Sequence, residues 1–226
     1  MAELVLALDL PGRNETLRLL DRLPALRWVK VGSILMTAEG PGLVRELVGR
    51  GLRVFLDLKW HDIPTTVAGS VAVAGSLGVQ MATVHALGGP EMMRVAAAAA
   101  PDGIALVAVT VLTSHDEGDY TDAIGRPSVR LVDEAARLAR RAVSAGLAGV
   151  VCSPLEVDRI RTGVGPGPLI VVPGIRRPGD ESGDQSRTAT PAEAMRHGAT
   201  HLVVGRPILR AEDPAAALSE FLAALG

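Results

Sequence analysis

The sequence predicts an α/β protein: a (β/α)8 barrel of the TIM type, built as one domain over residues 1–226. Three observations carry that prediction. Short apolar runs alternate with amphipathic or Ala-rich stretches from end to end, which implies parallel strands joined by right-handed crossovers. Eight strand–helix units of about 28 residues each fill the 226-residue chain, near the short end of the barrel's size range. Hydrophobic residues make up 48% of the chain but only five are aromatic, so Val, Leu, Ile and Ala must build the core, as in a sheet covered on both faces. The competing open doubly wound sheet is disfavoured because no Gly-rich dinucleotide fingerprint follows the first strand.

The elements follow in order. Strand one spans 4–9, an apolar run ending in Asp9, and a helix over 15–23 follows it. Strand two, 28–32, leads to a helix over 38–50, closed by Gly51. Strand three, 53–59, and strand four, 81–85, flank a helix over 64–77 that opens on Pro64 and stops at Gly78. A proline in the first helical turn forfeits no bond, and a glycine just past the last turn accepts the left-handed backbone found there. Helices over 90–100 and 128–145 enclose strand five, 104–110, and Gly146 ends the second of them. Strand six, 149–152, and strand seven, 169–173, are separated by a helix over 154–161. A helix over 191–197, ended by Gly198, precedes strand eight, 202–205, and the last helix spans 214–225.

Two hydrophilic connections, 114–127 and 174–190, are long enough to read as lids or binding loops, or as plain mobile surface. Both leave the C-terminal ends of strands, the face on which barrel active sites are built.

Composition excludes several classes. A net charge of −2 and scattered aromatics argue against nucleic acid and against anionic membranes. No uninterrupted apolar window of membrane-spanning length occurs, and no basic leader or cleavage site precedes the first strand, so a soluble cytoplasmic protein is expected. The lone Cys152 allows no internal disulfide and no thiolate zinc site, and its apolar setting marks it as a buried, inert thiol.

Charge usage points to chemistry. The chain has two lysines, Lys30 and Lys59, against twenty-one arginines, and each ends a predicted strand. Lysine supplies what guanidinium cannot, a compact charge able to hand over a proton. In Asp57-Leu58-Lys59-Trp60-His61-Asp62, strand alternation puts Asp57 and Lys59 on one side, toward the barrel mouth. A blander reading makes Asp62 a helix cap and Asp57–Lys59 an ordinary ion pair. Lys30 ends the adjacent strand at the same mouth and weakens that reading, because such a network is poor as a stability device and better as a preorganised field. At the far side, Pro173-Gly174-Ile175-Arg176 and Gly205-Arg206-Pro207 follow strands seven and eight, the recurrent phosphate position in barrels. Arg176, on the loop, and Arg206 can each fork two donors onto phosphate oxygens, whereas Arg177 reads as a solvated side chain.

These residues resemble the orotidine 5′-phosphate decarboxylase family along essentially the whole chain. The likeness rests on Leu6-Ala7-Leu8-Asp9, Lys30-Val31-Gly32, Asp57-Leu58-Lys59-Trp60-His61-Asp62-Ile63-Pro64, Thr110-Val111-Leu112-Thr113-Ser114, Pro173-Gly174-Ile175-Arg176, Asp184-Gln185 and Gly205-Arg206. Thr65 stands where the family usually has Asn, a departure in the loop rather than at a charged group. The resemblance implies a catalytic tetrad of Lys30, Asp57, Lys59 and Asp62, with Asp62 and Thr66 reaching the partner's site across a homodimer. It implies that Asp9 and Lys30 bind the ribose, that Thr113 reads the pyrimidine edge, and that Arg176, Gln185, Gly205 and Arg206 hold the 5′-phosphate. Lys59 is the implied proton donor, His85 a supporting residue, and no metal, flavin or nicotinamide is needed. Two alternatives stay open at this level: a magnesium-dependent sugar-phosphate decarboxylase or synthase of the same superfamily, and a phosphometabolite-binding barrel without turnover. The former puts an acidic residue where this chain has Lys30.

Overall fold

The computed structural model of the protein describes residues 2–177, 180 and 187–226. Eight parallel strands close into a barrel in sequence order: β1 (Glu3–Ala7), β2 (Trp28–Gly32), β3 (Arg53–Trp60), β4 (Met81–His85), β5 (Ala105–Val109), β6 (Gly149–Val151), β7 (Leu169–Val172) and β8 (His201–Val204). The helices among the described residues are α1 (Arg13–Asp21), α2 (Ser33–Gly49), α3 (Pro64–Ser76), α4 (Gly89–Ala99), α5 (Glu117–Ile124), α6 (Leu131–Ser144), α7 (Val157–Val164), α8 (Pro191–Arg196), α9 (Arg206–Leu209) and α10 (Pro214–Ala223). The barrel expectation is met. Among these residues no helix is long and apolar enough to cross a membrane.

Strand alternation divides the apolar side chains into two cores. Leu4, Leu6, Val29, Val31, Val54 and Leu56 face outward and pack under the helices. Val5, Ala7, Trp28, Phe55, Met81, Val107, Val171 and Val203 form a separate cluster that fills the barrel. Each large apolar side chain buried this way contributes roughly 1.5–3 kcal/mol. The register aligns Ala7 with Lys30, Lys30 with Phe55 and Gly32 with Asp57. Lys30 and Asp57 each lie two residues beyond an inward-facing aromatic, so the same alternation that fills the barrel aims them into its upper opening.

The helix ends follow the expected chemistry. Gly51, Gly78, Gly146 and Gly198 all have positive φ, between 78° and 101°, just past helix termini. Thr190 and Glu193 form a reciprocal capping box ahead of α8, and the Asp213 carboxylate accepts from Ala215 N and Ala216 N at the start of α10. The packing of β6 on β7 leaves no room for a side chain at Gly149, where a Cβ would lie 2.1 Å from the Leu169 carbonyl oxygen.

Three expectations need correction. Helix α2 begins at Ser33, not 38, and is interrupted at Gly40 (φ 64°), after which Pro41 starts a second run. The segment 154–161 opens with a 3-10 turn, Pro154–Glu156, before α7. The connection 114–127 is not irregular throughout. It folds into α5, whose buried Tyr120 hydroxyl donates to Glu134 Oε1 on α6 at 3.3 Å.

Candidate active site

At the C-terminal ends of the strands lies a cavity of about 580 Å³. Asp9, Lys30, Asp57, Lys59, Thr113, Arg176, Gly205 and Arg206 all line it, drawn from six different strand ends. The charges at its base form an unbroken alternating chain. Lys30 Nζ lies 3.2 Å from Asp9 Oδ1 and 3.5 Å from Asp57 Oδ2, and Lys59 Nζ lies 3.0 Å from Asp57 Oδ1. Gly32 leaves room for this: a Cβ there would come within 3.0 Å of the Lys30 ammonium.

Asp57 is the hub. Burial pushes its carboxyl upward, but the Lys30 and Lys59 ammonium groups and hydrogen bonds from Lys59 and Thr83 outweigh burial and hold it below the usual carboxylate range. Its charge is therefore a fixed feature of the cavity.

Lys59 reaches Asp57 by a route that simple alternation does not describe. Its φ is 53°, in the left-handed region, and the pairing of β3 with β4 slips between Leu56 and Trp60. Thr83, on β4, sustains this backbone. Its hydroxyl accepts from Lys59 N at 2.8 Å and donates to Asp57 Oδ1 at 3.1 Å. Thr83 was missed in the sequence, although its position two residues before His85 on an otherwise apolar strand marked it as inward-facing.

Asp62 is exposed and does not join the charge chain; its carboxylate accepts from Ile63 N at 2.6 Å. Thr66, in the first turn of α3, does not line the cavity either. His85 also stays off the lining. Its ring stacks on His61 at 5.5 Å and its Nδ1 accepts from Leu87 N.

On the opposite side, Gly205 caps the short helix α9 and Arg206 is its first residue. Arg176 is buried, and it sits at the root of its loop rather than out on it, because Arg176 N donates to Ala189 O and Ala189 N to Gly174 O. Gln185 lies outside the described residues. Arg177 is not simply solvated: it pairs with Asp180 and Glu220. Cys152 is buried as expected, with its thiol pushed up by burial, but it forms part of the cavity wall.

Taken together, the cavity offers two fixed ammonium groups interleaved with carboxylates at one end and two guanidinium groups at the other. That arrangement suits a ligand carrying an anionic reacting group and a distant phosphate.

Comparison with known proteins agrees with this geometry. Residues 2–221 match the model of the "Orotidine 5'-phosphate decarboxylase / HUMPS family". The orotidine 5′-phosphate decarboxylase of Anaeromyxobacter sp. (strain K) is 51% identical over 204 residues, covering 89% of this chain and 88% of that one. That of Nitrosospira multiformis is 48% identical over 221 residues, covering 96% and 90%. The crystal structure of orotidine 5′-phosphate decarboxylase from Lactobacillus acidophilus superposes with a TM-score of 0.89 at 35% identity, over 100% of both chains. With fold, cavity and sequence in agreement, the chain belongs to the orotidine 5′-phosphate decarboxylase / HUMPS family.

Proposed function

We propose that this chain converts orotidine 5′-phosphate to uridine 5′-phosphate and carbon dioxide, and does so with its own side chains, without a metal or organic cofactor. The observation that carries this reading is the alternation Asp9–Lys30–Asp57–Lys59 at the base of the cavity.

Breaking the C6–carboxylate bond leaves its electron pair on C6, where the pyrimidine ring cannot readily delocalise it. The uncatalysed barrier is accordingly high, and the enzyme has to remove on the order of 20 kcal/mol of it. Asp57, held ionised, sits beside the departing carboxylate and disfavours the bound ground state. The Lys59 ammonium stabilises the developing carbanion, then passes a proton from Nζ to C6 as carbon dioxide leaves. Arginine could supply the charge but not the proton. Asp9 and Lys30 bind the ribose, and Thr113 reads the base. Arg176, Gly205 and Arg206, with Gln185, grip the phosphate. Their binding energy, remote from the breaking bond, holds the reacting carboxylate in the field.

The same reading makes the working unit a homodimer, in which Asp62 and Thr66 complete the partner's site. Their position outside the cavity of their own protomer supports this assignment. Lys30 favours this chemistry over metal-dependent sugar-phosphate reactions. Its ammonium lies between Asp9 and Asp57, so the carboxylates that would share a divalent ion already share a fixed cation.

The test is the ultraviolet absorbance change of orotidine 5′-phosphate with the purified chain, repeated in EDTA. Decarboxylation indifferent to chelation is expected. Activity lost to EDTA and restored by Mg²⁺ would favour the metal-dependent rival, and no turnover at all would favour a binding barrel.

A further inference from the structure

Beside the cavity, a buried ion pair joins three loops. Glu156, in the turn after β6, is fully buried; its Oε2 accepts from Ser153 N at 2.9 Å and its Oε1 pairs with Arg187 Nη1. Arg187 lies at the far root of the β7–α8 connection, and its Nη2 donates at 3.0 Å to the carbonyl of Leu112, after β5. The same carbonyl accepts from His115 N at 3.1 Å, so both of its lone pairs are engaged.

A peptide group is planar and trans, so fixing the Leu112 carbonyl also fixes the direction of the Thr113 N–H, which points the opposite way. Thr113 lines the cavity, and neither its amide nor its hydroxyl bonds to another described residue. The turn thus presents an unused amide donor whose direction is set from behind by Arg187. A structural ion pair alone does not need this third contact. Burial raises the Glu156 carboxyl while Arg187 and the Ser153 amide oppose it, so the pair costs desolvation and makes better sense as a device that fixes a geometry.

We propose that Arg187 and Glu156 are positioning residues for the base: they hold the Leu112–Thr113 peptide in the orientation that reads the pyrimidine, and leave the grip on the phosphate to other groups. This rests on the decarboxylase reading above.

The experiment compares inhibition by uridine 5′-phosphate with inhibition by ribose 5-phosphate, which lacks the base. Arg187→Lys keeps a cation beside Glu156 but cannot also reach Leu112 O, so the pair survives and the peptide is released. The expected result is an inhibition constant for uridine 5′-phosphate raised about tenfold, the equivalent of one lost hydrogen bond, with the constant for ribose 5-phosphate unchanged. Should Arg187→Lys not fold, Glu156→Gln keeps the side-chain shape and is read out in the same way. Equal shifts in the two constants, or no shift in either, overturn the assignment of Arg187 and Glu156. Absence of turnover in the wild-type chain instead overturns the reading of function.

Discussion

The Lys59 ammonium lies 3.0 Å from Asp57 Oδ1 even though the Lys59 backbone, at φ 53°, departs from extended geometry within the strand that carries both residues. A non-glycine residue in the left-handed region costs of order 1–3 kcal/mol and persists only where its surroundings impose it. Here the strain swings the side chain over the cavity, where the proposed mechanism needs a proton. Lys59→Ala is therefore expected to lower turnover by at least about 10⁴-fold, the upper range for general acid catalysis, while uridine 5′-phosphate still binds. Retention of decarboxylation within about tenfold of wild type would remove Lys59 as proton donor.

Thr83 imposes that backbone, since one hydroxyl serves both Lys59 N and Asp57 Oδ1. Thr83→Val keeps the shape, strands the Lys59 amide and removes one of the bonds that keep Asp57 ionised. Leaving a buried donor unpaired costs about 1–3 kcal/mol of stability. A larger fractional effect is expected on kcat than on binding of uridine 5′-phosphate, measured by steady-state kinetics and product inhibition. Wild-type kcat in Thr83→Val would mean that Lys59 holds its conformation without help from β4.

His85 supplies a pH signature. Burial first, then the nearby His61, Lys59 and His115, push its pKa from 6.5 down to about 4. Between those values the unfolded chain takes up a proton that the folded chain refuses. The associated stability is thus fully present above pH 6.5 and lost as pH falls toward 4. The ring is only partly buried, so solvent screening reduces the loss to about 1–2 kcal/mol. His85→Gln should make denaturation midpoints at pH 7 and pH 4.5 more alike than in wild type. An unchanged difference between the two midpoints would assign the acid sensitivity to other groups.

Much of this architecture was legible in the residues, for identifiable reasons. Strands three, four, six and eight were readable because each is a short apolar run preceded by a helix-terminating Gly, and the strand ends at the site because Lys30 and Lys59 stand out in an arginine-rich chain. The cavity charges were readable because alternation of period two carries the pattern of the barrel interior up to its mouth. What escaped depends on partners distant in sequence. Local caps bound α5, with Asp116 accepting from Asp119 N and Gly125 at positive φ, but what docks it is Tyr120 reaching Glu134, which Arg126 and Arg137 also bind. Glu156 reads as half of a capping box with Ser153, which it is, so the local explanation conceals its pairing with Arg187, 31 residues away. Alternation also led to the correct contact at Lys59 by an incorrect path, since a bulge and a positive φ are set by Thr83 on the neighbouring strand.

Asp62 gives the sharpest test of assembly. It is exposed and outside its own cavity, yet the family resemblance gives it a place in the tetrad. The two statements are compatible if each site borrows Asp62 from the other protomer. Asp62→Ala and Lys59→Ala homodimers should then both be inactive, each lacking one member at every site. In a hybrid dimer one site lacks both residues, whereas the other combines an intact Lys59 with an intact Asp62. Random re-association makes half of the dimers hybrid, so about a quarter of all sites are complete and about a quarter of wild-type activity should return. Mixing, brief dissociation and reassociation, followed by the absorbance assay, measures this directly. If the mixture stays as inactive as its components, Asp62 does not act across a subunit boundary.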